Sequence, residues 1–148
     1  EHIITTIVSD QLHQINLANE GPNCNRFDLA TPVGNLHDLP IMIAEIICHA
    51  NRVPTNYLGA SHPADCLGEA VNALKCKTIV MGVISSVQWN YEKDIVIYLQ
   101  SIDKYLNNTV EIILGGGYKI DFPDFENIGN IKFISSFEDF DKMLIGLK

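Results

Sequence analysis

One histidine, His37, lies in the segment TPVGNLHDLPIMIA, between a short apolar stretch and a longer one. Imidazole is the commonest side-chain metal ligand in proteins, and a neighbouring acceptor usually orients its second ring nitrogen. Asn35 precedes His37 by two residues and can supply an amide oxygen for that purpose. Two interpretations follow: the histidine belongs to a polar loop that begins a helix, or it reaches out of that loop to hold a metal-containing ligand.

Two other short segments could meet this loop. Ser85 and Ser86 follow the apolar run TIVMGVI, and three consecutive glycines, Gly115–Gly117, follow the run TVEIIL. Small side chains leave room for a ligand, and glycines let a flat or bulky ligand lie against the backbone. The sequence has neither a GxGxxG motif after the first predicted strand nor a P-loop lysine, which argues against nucleotide binding. Each segment alone is equally typical of an ordinary turn or strand end.

The apolar pattern predicts the elements that must position these loops. Five strands are predicted, at residues 26–30, 53–58, 78–84, 109–114 and 131–134, and helices alternate with them. Pro40 and Pro63 fit the first turns of two helices, and Ser135 with Glu138 forms a capping box for the last one. This pattern predicts an α/β fold of the flavodoxin-like (Rossmann-like) type, with a five-stranded parallel sheet in the order 2-1-3-4-5. Ligands bind such sheets beyond the carboxyl ends of strands 1 and 3, where the three loops are expected to converge.

The first 20 residues form a separate unit in this prediction. Apolar residues recur there at spacings of three and four, which indicates a helix, and Gly21-Pro22-Asn23 then breaks it. We expect residues 1–20 to be the last helix of a truncated helical bundle, and residues 21–148 to be the α/β domain.

Composition excludes several classes of function. The 148 residues are 47% hydrophobic and 19% charged, which is typical of a globular domain, and the net charge of −8 disfavours direct contact with nucleic acid. The apolar runs are shorter than the roughly 20 residues of a membrane span, and no signal peptide is recognisable. The four cysteines form no CxxC pair, so we expect reduced thiols in a cytoplasmic protein.

Several residues flank His37 at positions that match a known family. They are Pro32 and Gly34 before it, Tyr57-Leu58-Gly59 and Pro63 after the second predicted strand, and the pair Glu1-His2 that opens the chain. This arrangement resembles the cobalamin-binding domain of light-sensing MerR-type transcriptional regulators of the CarH and LitR kind. The family motif is an acid, any residue, a histidine, two residues and a glycine. The likeness extends over nearly the whole chain.

The resemblance implies that cobalamin binds base-off, with His37 as the lower axial ligand of cobalt and 5′-deoxyadenosyl as the upper ligand. Glu1 and His2 would face the upper ligand, and the nucleotide tail would lie in a slot beside the serines and glycines. The implied cofactor-binding residues are Glu1, His2, Asn35, Leu36, His37, Asp38, Ser85, Ser86, Gly115, Gly116 and Gly117. Light would change the state of a homo-oligomer, and DNA would be bound through an upstream domain only, with no membrane partner.

Two positions depart from the family motif, because Asn35 stands at the acid and Pro40 at the glycine. An amide cannot raise the basicity of a histidine as a carboxylate does, so Asn35→Glu is expected to tighten cobalamin binding. The departures support an alternative, a degenerate or haem-binding domain of the same fold that acts through protein–protein contacts. A corrinoid carrier domain of a methyltransferase is a third interpretation. The sequence contains no recognisable nucleophile–base pair, and we expect that the chain is not itself an enzyme.

Overall fold

The computed structural model describes residues 26–147, so the predictions for Glu1, His2 and a helix at residues 1–20 lie outside the described residues. Five parallel strands form one sheet: β1 (Phe27–Pro32), β2 (Thr55–His62), β3 (Thr78–Gly82), β4 (Val110–Gly115) and β5 (Ile128–Ile134). Their order is β2-β1-β3-β4-β5. The predicted flavodoxin-like α/β fold is therefore confirmed.

Helices cover both faces of this sheet: α1 (Leu39–Ala50), α2 (Ala64–Leu74), α3 (Tyr91–Asp103) and α4 (Phe137–Gly146). The helices α1 and α4 pack on one face, against Leu29, Val80 and Ile113, and α2 and α3 pack on the other. Because both faces are covered, every residue of β1 and β3 is buried, as expected for central parallel strands. Within residues 26–147 no helix is long and apolar enough to cross a membrane.

The second strand and the start of the last helix differ from their predicted bounds for local reasons. The strand β2 begins at Thr55 because Val53 still belongs to the turn that ends α1, where its N–H donates to the carbonyl of Cys48 at 2.8 Å. It then continues to His62 through two positive-φ residues, Gly59 (93°) and Ser61 (58°), which are typical of a turn in sequence. The last helix is capped by Ser136, not Ser135, since the Ser136 hydroxyl accepts from the N–H of Asp139 at 3.1 Å.

Residues 116–127 join β4 to β5 without a helix. The connection packs on the same face as α2 and α3, where Phe122 stacks on Phe133 of β5 with ring centroids 6.1 Å apart. The carboxylate of Asp103 accepts the N–H of Glu126 at 2.9 Å and that of Asn127 at 2.7 Å. Aromatic side chains and a capped turn thus replace a covering helix at this end of the sheet.

Candidate functional site

The carboxyl ends of the parallel strands lie at one edge of the sheet, and the three loops singled out in the sequence meet there. We name them the histidine loop (Val33–Asp38), the serine loop (Val83–Asn90) and the glycine loop (Gly115–Tyr118). They follow β1, β3 and β4 respectively. The N–H of Val83 donates to the carbonyl of Gly115 at 3.0 Å, which joins the last two loops directly.

The side chain of His37 is exposed on this edge. Its backbone N–H donates to the amide oxygen of Asn35 at 3.3 Å. Its carbonyl oxygen lies 4.0 Å from the point that a Cβ on Gly82, the last residue of β3, would occupy. No residue between 26 and 147 forms a hydrogen bond with the imidazole ring, so both ring nitrogens are available to a ligand or to water.

Asn35 is buried, with only 1% of its surface exposed. Its amide nitrogen donates to the carbonyl of Ile84 at 3.0 Å, and its oxygen accepts the N–H of His37. The side chain therefore connects the histidine loop to the end of β3. The contact that the sequence led us to expect, between the amide oxygen and the imidazole, is in this structure a contact with the backbone of His37.

The end of β2 holds the histidine loop from the other side. The Tyr57 hydroxyl donates to the carboxylate of Asp38, and burial together with this bond raises the pKa of Tyr57 well above its ordinary value. The Ser61 hydroxyl accepts the N–H of Gly34 at 3.1 Å. Between these two anchors, Leu36 leaves 69% of its side chain exposed beside His37. An apolar side chain held in this way offers a contact surface for an apolar ligand.

The two serines cap the turn that precedes α3. Ser85 Oγ accepts the N–H of Tyr91 at 3.1 Å, and Ser86 Oγ accepts the N–H of Trp89 at 3.2 Å. Trp89 is buried, and its ring lies 3.5 Å from the point that a Cβ on Gly34 would occupy. The serine loop is thereby packed against the histidine loop, while both serines remain exposed on the edge.

The glycine loop contains glycines for two different reasons. Gly116 is exposed and adopts a φ of 86°, which an L side chain rarely tolerates. Gly117 is buried, and a Cβ there would stand 2.7 Å from the hydroxyl oxygen of Tyr91. Room for a ligand, as expected from the sequence, is therefore present at Gly115 and Gly116, whereas Gly117 is required by the packing of Tyr91.

A cavity of about 340 Å³ reaches this edge from between the sheet and the helices α1 and α4. Its volume is within the roughly 300–1,000 Å³ of small-molecule sites. Its wall is almost wholly apolar, with the exception of two serines that follow β5. The lining residues that matter for its shape are Pro40, Ala44, Gly82, Ile113, Gly115, Gly116, Ser135, Ser136 and Phe140.

The sequence places the slot beside Ser85, Ser86 and the glycines; Gly115 and Gly116 line this cavity, Ser85 and Ser86 do not, and the lining residues Ser135 and Ser136 were not identified as site residues from the sequence. The missed pair follows β5, so the same rule that selected the serine loop could have found it. Both hydroxyls of the pair interact with Asp139, and these bonds lower the pKa of its carboxyl. The pair therefore places polar oxygens at the border of an otherwise apolar cavity.

The described residues do not hold a bare metal ion. Between residues 26 and 147 no three His, Cys, Asp or Glu side chains are grouped so that they could bind one. The cysteines Cys48, Cys66 and Cys76 are free, and burial raises the pKa of Cys48 and of Cys76 to about 12. A metal held by His37 would therefore have to bring most of its own ligands.

No protein-family model and no curated protein sequence matches the chain. Among solved structures, the methanol:cobalamin methyltransferase complex MtaBC from Methanosarcina barkeri is similar, with a TM-score of 0.64 and 16% identity over 88% of this chain and 49% of that chain. A novel cobalamin-binding protein from Desulfitobacterium hafniense DCB-2 gives a TM-score of 0.49 and 15% identity, over 82% and 50% of the two chains. The chain thus spans about half the length of the structures that it matches, and the similarity to MtaBC shows a shared fold.

Proposed function

We propose that this domain binds a corrinoid, with His37 as the lower axial ligand of its cobalt. The observation that carries the proposal is the exposed imidazole of His37 on the switch point of the sheet. His37 does not itself line the apolar cavity, but Pro40 and Gly82 line it, and the carbonyl oxygen of His37 lies 4.0 Å from the point that a Cβ on Gly82 would occupy. One histidine can complete the coordination of a metal that is already held by a macrocycle. It cannot build a metal site by itself, and no three His, Cys, Asp or Glu side chains between residues 26 and 147 are grouped to bind a metal ion.

The residues present fit a flat macrocycle lying over this edge. Large apolar residues are exposed on the segments that follow β1, β3, β4 and β5 at this edge, and they are Leu36, Ile84, Val87, Tyr118 and Phe137. Exposed apolar surface at one place typically marks a binding site. Gly82 and Gly116 line the cavity without side chains, and a Cβ there would stand 3.0 Å from Ile41 and 3.3 Å from Ile84 respectively.

The cavity favours a corrinoid over haem. A base-off cobalamin carries a nucleotide tail that must leave the plane of the ring, whereas a porphyrin has no comparable group. A cavity of about 340 Å³ beneath the edge, apolar inside and bordered by Ser135 and Ser136, suits such a tail. The tail would then lie nearer to the end of β5 than the sequence suggested.

We further propose a sensory role in a transcriptional regulator, which rests on the resemblance of the sequence to light-sensing MerR-type proteins. The cofactor, adenosylcobalamin in that case, would supply a light-sensitive cobalt–carbon bond, while the chain positions it. DNA would be bound through another part of the protein, since this chain carries a net charge of −8. A corrinoid carrier domain is the second candidate, favoured by the fold shared with MtaBC. In neither role does the chain need catalytic residues of its own.

The test is an absorption spectrum of the chain mixed with adenosylcobalamin in the dark and again after green light. We expect a base-off, histidine-ligated spectrum that His37→Ala abolishes. The matched control is His49→Gln, at the far end of α1, which keeps a side chain able to bond the Thr55 hydroxyl and should leave the spectrum unchanged. Circular dichroism verifies that both variants are folded.

Three outcomes separate the candidates. No spectral change at any cobalamin concentration, together with a Soret band on adding haem, would overturn the corrinoid proposal in favour of haem. A dark spectrum that green light changes, with a shift in elution volume on gel filtration, supports the sensory role. Binding of methylcobalamin with no shift in elution volume after light would favour the carrier role instead.

A further inference from the structure

Tyr91, the first residue of α3, is buried beneath the candidate site, with 2% of its surface exposed. Its hydroxyl donates to the backbone carbonyl of Tyr118 at 2.7 Å and accepts the backbone N–H of the same residue at 3.2 Å. A hydroxyl has one donor and two acceptor positions, so one side chain here satisfies both backbone groups of a loop residue. Without that hydroxyl, these two groups lose their partner at the end of β4.

We infer that Tyr91 is the positioning residue of the glycine loop and holds it in the shape that accepts the corrinoid; the inference rests on the proposed function. The ring of Tyr91 supports the loop from below, because a Cβ on Gly117 would stand 3.0 Å from two of its ring carbons. Loop and ring are thus in direct contact, and any shift of the ring moves the backbone of Gly117 with it.

Tyr91 also joins two of the three loops of the site. Its own backbone N–H donates to Ser85 Oγ at 3.1 Å, so its position depends on the serine loop. Its ring lies 4.7 Å, centroid to centroid, from the ring of Tyr118, whose hydroxyl donates to Glu92 at 2.8 Å. The backbone bond between Val83 and Gly115 joins the bases of the serine loop and the glycine loop, and Tyr91 links Ser85 in the first loop to Tyr118 in the second.

The chain offers a close control on the same helix. Tyr98 is also buried, with 5% of its surface exposed, and its hydroxyl also donates to a backbone carbonyl, that of His62 at 2.9 Å. This hydroxyl therefore bonds neither the glycine loop nor Tyr57 and Ser61, the two residues of β2 that anchor the histidine loop. Tyr91→Phe and Tyr98→Phe each remove one buried hydroxyl from α3, so a general loosening of the fold should affect the two variants alike.

The experiment compares these two variants in two measurements, with circular dichroism to fix a temperature at which all proteins are folded. The first is amide hydrogen exchange of the ligand-free chain. We expect faster exchange at Gly116, Gly117 and Tyr118 in Tyr91→Phe and no change there in Tyr98→Phe. The second is the affinity for hydroxocobalamin by absorption titration. We expect about a tenfold loss in Tyr91→Phe, equal to the net value of one to two buried hydrogen bonds, and less than about a twofold change in Tyr98→Phe.

Each result has a defined meaning. Unchanged exchange in the glycine loop, or equal losses of affinity in the two variants, would overturn the inference. A wild-type chain that binds no corrinoid would overturn the proposed function instead, and the exchange data would still decide whether Tyr91 holds the loop.

In addition, Gly117→Ala should weaken binding less in the Tyr91→Phe background than alone, because the clash at 2.7 Å with the hydroxyl oxygen is then absent. Independent losses from the two substitutions would contradict direct contact as the cause.

Discussion

Replacing Asn35 by the acid of the family motif tests the structure of the histidine loop against the resemblance. In Asn35→Asp the side chain keeps its shape, and one carboxylate oxygen can still accept the N–H of His37. The other oxygen takes the place of the amide nitrogen and faces the carbonyl oxygen of Ile84 at 3.0 Å. A donor–acceptor bond thus becomes a contact between two acceptors in a residue with only 1% of its surface exposed.

The magnitude follows from burial. Leaving one buried polar partner unsatisfied costs about 1–3 kcal/mol, and more where the new group is charged. We therefore expect Asn35→Asp to lower the free energy of unfolding by about 2 kcal/mol or more. Because the bond to Ile84 ties the histidine loop to β3, we also expect corrinoid affinity to fall. This is the opposite of what the family motif implies, since an orienting acid there would raise metal affinity by about 10–100-fold.

Urea unfolding followed by circular dichroism measures the first effect, and absorption titration with hydroxocobalamin measures the second. Asn108→Asp is the control, because Asn108 is exposed and the same change of charge there should leave both values nearly unchanged. An Asn35→Asp variant as stable as the wild type, with tighter binding, would refute our account of the loop. It would also restore the expectation, drawn from the sequence, that Asn35→Glu tightens binding.

Three further predictions test the packing and the titrating groups of the fold. Burial raises the pKa of Asp28, so the folded chain holds this proton more tightly than the unfolded chain. The free energy of unfolding should therefore fall as pH rises from about 3.9 through the raised pKa, by about 1.4 kcal/mol for each pH unit that separates the two pKa values. Urea unfolding should show that Asp28→Asn removes this loss. Burial lowers the pKa of His49, against a smaller opposing effect of Glu45. The stability of the fold should therefore fall as pH drops below about 6.5 through the lowered pKa. Thermal unfolding measured over this pH range should show a smaller pH dependence in His49→Gln. Gly68→Ala should cost about 1–3 kcal/mol, because its Cβ would stand 2.6 Å from the Cβ of Tyr105, whereas Gly146→Ala, with nothing within 4 Å, should be neutral or stabilising in the same assay.

The order of the strands could be predicted from sequence because the apolar pattern is strong in the centre of the sheet. The runs at β3 and β4 are continuous and largely buried, which few other elements resemble. The edge strand β2 was placed less well, since Gly59 and Ser61 adopt positive φ within it and look like a turn in sequence. The pairing with β1 shifts its register twice along this stretch, and such a shift depends on tertiary contacts.

The candidate site was predictable as a set of loops but not as a set of contacts. The rule for parallel sheets brings the histidine, serine and glycine loops to one edge, as expected. It does not say that Asn35 bonds the carbonyl of Ile84, or that the packing of Tyr91 requires a glycine at position 117. Both contacts join residues by geometry across loops, and no spacing along the chain encodes them.

The two departures from the family motif are consistent with each other once the contacts are known. Pro40 lies in the first turn of α1, where the missing N–H is not needed because the first helical N–H groups have no partner within the helix. Asn35 satisfies a carbonyl at the end of β3 that an acid would leave without a donor. His37 therefore lies between two fixed points, the bond from Asn35 to Ile84 before it and the first turn of α1 after it. An imidazole whose ring has no hydrogen-bond partner among residues 26–147, and so no carboxylate to raise its basicity, should be a weaker and more easily displaced cobalt ligand than the family motif provides. A weak axial ligand suits the sensory role proposed above, in which a signal must release it. The corrinoid affinities of the His37 and Asn35 variants together measure the strength of this ligand.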